Sequence, residues 1–145
     1  MHVLYAGLLI YLGLETENDI RKREISVKIA ICFCLLAVII RVCMMNNTSW
    51  ISLLKDLACA LIPGIGMLIF SGITDQAVGY GDGIIMMVCG IYLGEKTAAA
   101  LLLAGLFLMF PVSMLLLLSG KAKRETELPF APFLLNAYLL WLIQR

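Results

Sequence analysis

Two aspartates in this sequence lie where carboxylates are costly. Asp82 belongs to the segment GYGDG, residues 79–83, just before an apolar run that begins at Ile84. Asp19 follows the first apolar run and is followed in turn by basic residues. Ionisable side chains at membrane segments are costly and usually serve a function. If the two carboxylates lie close together, they cannot both ionise easily, and the pair shares a proton.

A carboxylate pair that shares a proton can hydrolyse a peptide bond. The ionised member takes a proton from a water molecule as the water attacks the carbonyl carbon. The protonated member donates a hydrogen bond to the carbonyl oxygen and later assists the leaving amine. We expect Asp82 to be the more acidic, because the positive end of a helix would stabilise its charge. Glu15, four residues before Asp19, would favour protonation of Asp19.

The residues around Asp82 are expected to shape this site. Gly79 and Gly81 permit positive φ and let a substrate backbone come close, with Tyr80 between them. Taken alone, GYGDG is typical of a turn. The shared placement of Asp19 and Asp82 at one side of a bundle favours catalysis over a turn.

Composition indicates an integral membrane protein. The chain has 145 residues, of which 62% are hydrophobic and 14% charged, and its mean hydropathy is +0.98. Soluble domains are about half apolar and about a quarter charged. The net charge is +1, and no basic tract is long enough for a nucleic-acid site.

Six apolar runs predict an all-α bundle of about six transmembrane helices, forming a single domain over residues 1–145. The runs cover residues 3–14, 25–45, 50–73, 84–94, 97–119 and 130–143. A span needs about 20 residues, and the second, third and fifth runs reach that length. The three shorter runs must recruit polar neighbours or lie inside the bundle.

Basic residues predict the orientation in the cytoplasmic membrane. Seven of the eleven Lys and Arg residues lie in two segments, after the first helix and between the fifth and sixth: Arg21, Lys22, Arg23, Lys28, Lys121, Lys123 and Arg124. These segments share one side of a six-helix protein, which is therefore the cytoplasmic side. Asp19 and Asp82 fall on that side, and both termini are expected outside.

The order of these segments resembles the type IV prepilin peptidases, which are membrane aspartyl proteases with a GxGD signature. GYGD at 79–82 resembles the signature, and DIRKREI at 19–25 resembles the family's first motif. GIYLG at 90–94 and LPFAPFLLNAYLL at 128–140 are similar to its later motifs. The length resembles the short forms, including those of tight-adherence pilus systems.

This resemblance implies roles for individual residues. Asp19 and Asp82 would be the catalytic pair, and Gly79, Tyr80 and Gly81 would shape the site. The substrate would be a prepilin or pseudopilin, with a short basic leader and an apolar helix that lies in the lipid membrane. No metal and no cofactor is implied. Longer relatives also methylate the new N-terminus through an added segment with paired cysteines, so we expect cleavage without methylation here.

Three acidic residues are candidates to contact the leader. Glu15, Glu17 and Asp75 are all expected near the cytoplasmic side, where they would attract a basic peptide. For Asp75, a solvated loop residue is the simpler interpretation.

The sequence departs from the family at two places. Ser26 and Val27 follow Ile25 where the family usually has Pro-Asn, and Gly83 and Ile84 stand where it usually has Val-Lys. The departures retain both aspartates, but they bear on substrate preference and on activity.

Two other classes remain open from the sequence alone. Another GxGD intramembrane protease would be expected to have nine spans and a Tyr-Asp motif in the partner helix. A catalytically altered membrane scaffold would keep the fold and lose the reaction. The five cysteines lie in apolar runs without a C-x-x-C pair, so we expect buried hydrophobic residues rather than a zinc site or disulfides.

Overall fold

The computed structural model describes residues 2–44, 49–74, 79–119 and 128–144, and all regular structure within these ranges is helical. The helices are α1 (His2–Lys22), α2 (Val27–Cys43), α3 (Trp50–Ile73), α4 (Tyr80–Leu93), α5 (Glu95–Leu118) and α6 (Ala131–Ile143). The predicted all-α architecture with six helices is confirmed, and the bounds of α3 match the third apolar run.

Two helices extend beyond their apolar runs. Helix α1 continues past its apolar run, which ends at Leu14, to Lys22, and the exposed pair Glu17–Arg21, at 2.9 Å, lies on this extension. The chain then leaves the helix at Arg23, whose φ of 52° lies in the left-handed region. Helix α4 begins at Tyr80, within GYGDG, so this segment forms the first turn of a helix.

Helices α3 and α5 are long and apolar enough to cross a membrane. Only 11% of the residues in each of these candidate spans are buried within the chain. A core helix of a soluble protein would bury most of its surface, whereas these helices expose large side chains such as Phe107, which is 82% exposed. Apolar surface of this extent requires an apolar environment. The chain is therefore a membrane protein.

Helix α4 occupies the centre of the bundle. It contacts α1, α2, α3 and α5, and its side chains at Ile85, Met86, Val88 and Cys89 are fully buried. A 14-residue helix spans about 21 Å, less than the hydrocarbon thickness of about 30 Å. Its short apolar run is thus accommodated inside the protein.

The contact between α3 and α4 depends on glycine residues. A Cβ atom added to Gly90 would overlap the backbone carbonyl of Ala60, and one added to Gly64 would meet the carbonyl oxygen of Gly83 at 2.8 Å. Such close backbone approach is typical of helix packing in membranes. The contact holds α4 in one register against α3.

Buried tyrosines link the remaining helices to this core. The Tyr138 hydroxyl on α6 donates a hydrogen bond to the Tyr5 carbonyl on α1 at 2.9 Å. The Tyr92 hydroxyl on α4 donates to the Phe33 carbonyl on α2 at 3.1 Å. These bonds satisfy hydroxyl groups that would otherwise be buried without partners.

The burial of the cysteine side chains differs in part from expectation. Cys89 is buried and Cys34 and Cys59 are partly buried, but Cys32 and Cys43 are exposed. The prediction of buried side chains is wrong for these two, because α2 turns one face away from the bundle. All five thiols are free.

Candidate active site

Asp19 lies near the end of α1 and is held by the start of α6. Its side chain is 7% exposed, and its Oδ2 accepts a hydrogen bond from the backbone N–H of Ala131 at 3.0 Å. The backbone N–H of Phe130 also donates to this carboxylate. The first N–H groups of a helix have no partners within the helix, and together they favour a negative charge.

The start of α6 explains the segment LPFAPF, for which the sequence alone suggested no role. Pro132 occupies an early position of α6, where a missing N–H costs nothing. Phe130 precedes the helix and Ala131 begins it, so their N–H groups point out of the helix end. These two residues are part of the site that sequence reasoning missed. A proline at a helix start is a signal for free N–H groups, but it does not show which anion they bind.

Asp82 lies in the first turn of α4, as predicted. Gly79 is the N-cap residue, and its carbonyl oxygen accepts a hydrogen bond from the Asp82 N–H at 3.1 Å. Asp82 precedes the apolar run of α4 and Asp19 follows that of α1, so both carboxylates lie outside the apolar segments.

The pKa of each of the two carboxyl groups is shifted by its surroundings. Burial and, to a smaller degree, the negative charge of Asp19 together raise the pKa of Asp82 to about 7. Burial also raises the pKa of Asp19, while the two N–H donors at the start of α6 lower it. Near neutral pH this arrangement favours one ionised and one protonated carboxyl group.

The pKa shifts favour the opposite order of acidity to the predicted one. We expected Asp82 to be more acidic because it begins a helix, yet Asp82 has the raised pKa of about 7. The free N–H groups that decide the order belong to α6, and they bind Asp19. For Asp82, burial outweighs the effect of its own helix start.

Neither glycine beside Tyr80 has an unusual backbone angle, and Gly81 serves packing instead. Gly79 has a φ of −62°, and the positive-φ glycine within the described ranges is Gly94, between α4 and α5. A Cβ atom on Gly81 would overlap the side chain of Ile25, with Cγ1 at 2.9 Å. The expectation of positive φ at Gly79 and Gly81 is therefore wrong. Tyr80 is 47% exposed and lies at the surface beside the site.

The three candidate leader contacts lie in different environments. Glu15 is fully buried, and its Oε2 accepts a hydrogen bond from the Ser26 N–H at 3.2 Å. This placement argues against leader contact by Glu15. Glu17 is exposed and paired with Arg21, so it is accessible to a peptide. Asp75 lies outside the described residues, as do Lys121, Lys123 and Arg124.

Comparison with known proteins agrees with this picture. The model of the type IV leader peptidase family matches residues 3–118, a range that contains both Asp19 and Asp82. No curated protein and no solved structure matches the chain. The match does not distinguish branches, so similarity to tight-adherence enzymes stays a prediction. Since the matched range covers most of the sequence, the chain belongs to the type IV leader peptidase family.

Proposed function

We propose that this chain is a membrane-embedded aspartic endopeptidase that removes the short basic leader of type IV prepilins or pseudopilins at the cytoplasmic membrane face. Family membership supports leader peptidase activity in general. The observation that carries the aspartic mechanism is the coupling of two carboxyl groups from separate helices. Asp19 is held by backbone donors at the start of α6, and its charge acts on Asp82.

The reaction assigns a different task to each aspartate. Ionised Asp19 takes a proton from a water molecule as the water oxygen attacks the scissile carbonyl carbon. Protonated Asp82 donates a hydrogen bond to the carbonyl oxygen, which becomes negatively charged. When the C–N bond breaks, the proton held by Asp19 passes to the leaving nitrogen. The products are a leader with a new carboxyl group and a mature pilin with a free amine.

The position of the site suits cleavage at a membrane boundary. Helices α3 and α5 are candidate spans, and the proposed topology places Asp19 and Asp82 at the cytoplasmic ends of α1 and α4. A substrate whose apolar helix lies in the membrane would present its leader junction at this depth. Exposed Glu17 lies one half-turn from Asp19 on α1 and would attract a basic leader.

The proposal is tested by co-expressing the chain in membranes with the pilins encoded beside it and measuring pilin mass. We expect wild type to remove the leader, and Asp19→Asn and Asp82→Asn each to slow cleavage about 10³-fold, a typical contribution of an acid–base group. Asp56→Asn is the matched control, because Asp56 is an exposed carboxylate on α3. It should cleave at the wild-type rate.

Cleavage that survives either active-site substitution in a normally inserted protein would show that the pair is not catalytic. Failure of wild type to cleave any neighbouring pilin would contradict the peptidase function itself. The same masses report methylation of the new N-terminus, which we do not expect.

A further inference from the structure

We propose that Glu15 is a positioning residue that fixes Asp82 relative to Asp19 through the turn between α1 and α2. This inference rests on the proposed function, in which the two aspartates act together. Glu15 does not touch substrate in this role; it acts through the backbone of the turn.

The first contact ties α1 to the start of α2. Glu15 is fully buried, and its Oε2 accepts a hydrogen bond from the backbone N–H of Ser26 at 3.2 Å. Ser26 is the N-cap residue of α2. The Glu15 carboxylate therefore anchors the residue at which α2 begins, one helical turn from Asp19 on α1.

The second contact ties the start of α2 to α4. Ile25 directly precedes Ser26, and its side chain packs where a Cβ atom of Gly81 would otherwise lie. Gly81 directly precedes Asp82 in the first turn of α4. A displacement of Ser26 would thus move Ile25 against Gly81 and shift Asp82.

The turn between α1 and α2 begins with a residue in an uncommon backbone conformation. Arg23, between α1 and Ser26, has a φ of 52°, which is uncommon for a residue with a side chain and is retained where contacts hold it. The Arg23 N–H donates to the Asp19 carbonyl oxygen at 3.0 Å, and the Glu15–Ser26 hydrogen bond holds the chain three residues further on.

The cost of burying Glu15 also favours a function. Its second oxygen, Oε1, is buried without a hydrogen bond of good geometry among the described residues, although the Asn18 side chain lies near enough to lower the pKa of this carboxyl group. An unsatisfied buried oxygen lowers stability, and stability alone would favour an apolar side chain at this position. A residue that is costly for stability and placed beside a catalytic pair is typical of a functional site.

Four substitutions in the full-length chain separate positioning from other effects, with cleavage of a synthetic prepilin peptide as the assay. Glu15→Ala removes the acceptor, and Glu15→Gln keeps an acceptor oxygen. Ser26→Pro removes the donor, and the Ser26 φ of −81° is close to the angle that proline requires. Glu24→Ala is the control, because Glu24 is an exposed carboxylate in the same turn.

We expect Glu15→Ala and Ser26→Pro each to lower kcat about tenfold per folded molecule, because small displacements of reacting groups are costly. KM should change less than about twofold, since the substrate contacts remain. Glu15→Gln and Glu24→Ala should stay within about threefold of wild type. The double variant Glu15→Ala/Ser26→Pro should also be about tenfold slower, because both changes break one interaction.

A second measurement does not depend on cleavage. The backbone amide NMR signals of Gly81 and Asp82 in detergent micelles should move in Glu15→Ala and Ser26→Pro and stay in place in Glu15→Gln. If wild type does not cleave prepilin, the proposed function fails, and these signals alone decide the positioning role. Unmoved signals, or a double variant about a hundredfold slower than wild type, would overturn the inference.

Discussion

Two of the close contacts that helix α4 makes through glycine differ in kind. In the interior, a Cβ atom on Gly90 would overlap the backbone carbonyl of Ala60, whereas in the first turn a Cβ atom on Gly81 would overlap the side chain of Ile25. A backbone gives way only if a helix moves, but the end of an isoleucine side chain can rotate. The interior contact therefore sets the place of α4 in the bundle, and the first-turn contact adjusts the position of Asp82 within it.

The two regions also differ in charge. The interior of α4 is apolar and fully buried at Ile85, Met86 and Val88. The first turn carries Asp82, a carboxyl group in an environment that raises its pKa. The interior of α4 thus contributes mainly to stability and its first turn mainly to function, so substitutions in the two regions should have different consequences.

The largest effect is expected at Gly90. Gly90→Ala should reduce the free energy of unfolding by about 3 kcal/mol, because α4 must move away from α3 to admit the methyl group. Gly66→Ala on α3 is the matched control, since nothing lies within 4 Å of a Cβ atom there, and it should not reduce stability. Unfolding in denaturing detergent measures both. Equal stability of the two variants would contradict the close packing of α3 on α4.

A smaller effect, which a second substitution should partly restore, is expected at Gly81. Gly81→Ala should lower the cleavage rate about tenfold, because the new methyl group pushes on Ile25 and displaces Asp82. Shortening the neighbour in Gly81→Ala/Ile25→Ala should recover about threefold or more of this loss, since the overlap falls on the removed atoms. Rates per folded molecule, with Ile25→Ala alone as reference, provide the comparison. A double variant no faster than Gly81→Ala would show that the overlap with Ile25 is not the cause.

The smallest effect concerns the pH dependence of protein stability that Asp82 causes. The folded-state pKa of Asp82, about 7, lies above its ordinary value of 3.8, so the folded protein binds this proton more tightly than the unfolded chain. Protonation of Asp82 therefore contributes to the free energy of unfolding at low pH, and this contribution is lost as the pH rises from about 4 to about 7.

Replacing Asp82 by Asn removes that dependence. The free energy of unfolding of Asp82→Asn, relative to that of wild type, should be about 1 kcal/mol higher at pH 8 than at pH 5. This is less than the full pKa shift implies, because Asp82 is partly exposed. Unfolding of the two proteins at both pH values measures the difference. A constant difference across this range would contradict the raised pKa.

The helices and their number could be predicted from the sequence because apolar runs are local signals. The bounds of α3 were predictable to the residue. The placement of Asp19 and Asp82 on one side of the membrane stays a prediction, and the effect of the Asp19 charge on the pKa of Asp82 supports it. The polar end of α1 was predictable only from the length that a span requires, because pairs such as Glu17–Arg21 stabilise a helix without apolar periodicity.

The environment of each aspartate was not predictable from its neighbours in sequence. The N–H group that binds Asp19 belongs to Ala131, far along the chain on another helix. The reason for Gly81 is a contact with Ile25, and the partner of Glu15 is the backbone of Ser26. Each of these contacts exists only once the helices have packed, so local sequence contains no direct signal for it.

The most direct test is to titrate the carboxyl groups of Asp19 and Asp82 individually by NMR in the folded protein. We predict that Asp82 titrates near pH 7 and that Asp19→Asn lowers the pKa of Asp82, because the charge of Asp19 contributes to it. An Asp82 that titrates near its ordinary value of 3.8, and does not respond to Asp19→Asn, would show that the two aspartates do not form a coupled pair.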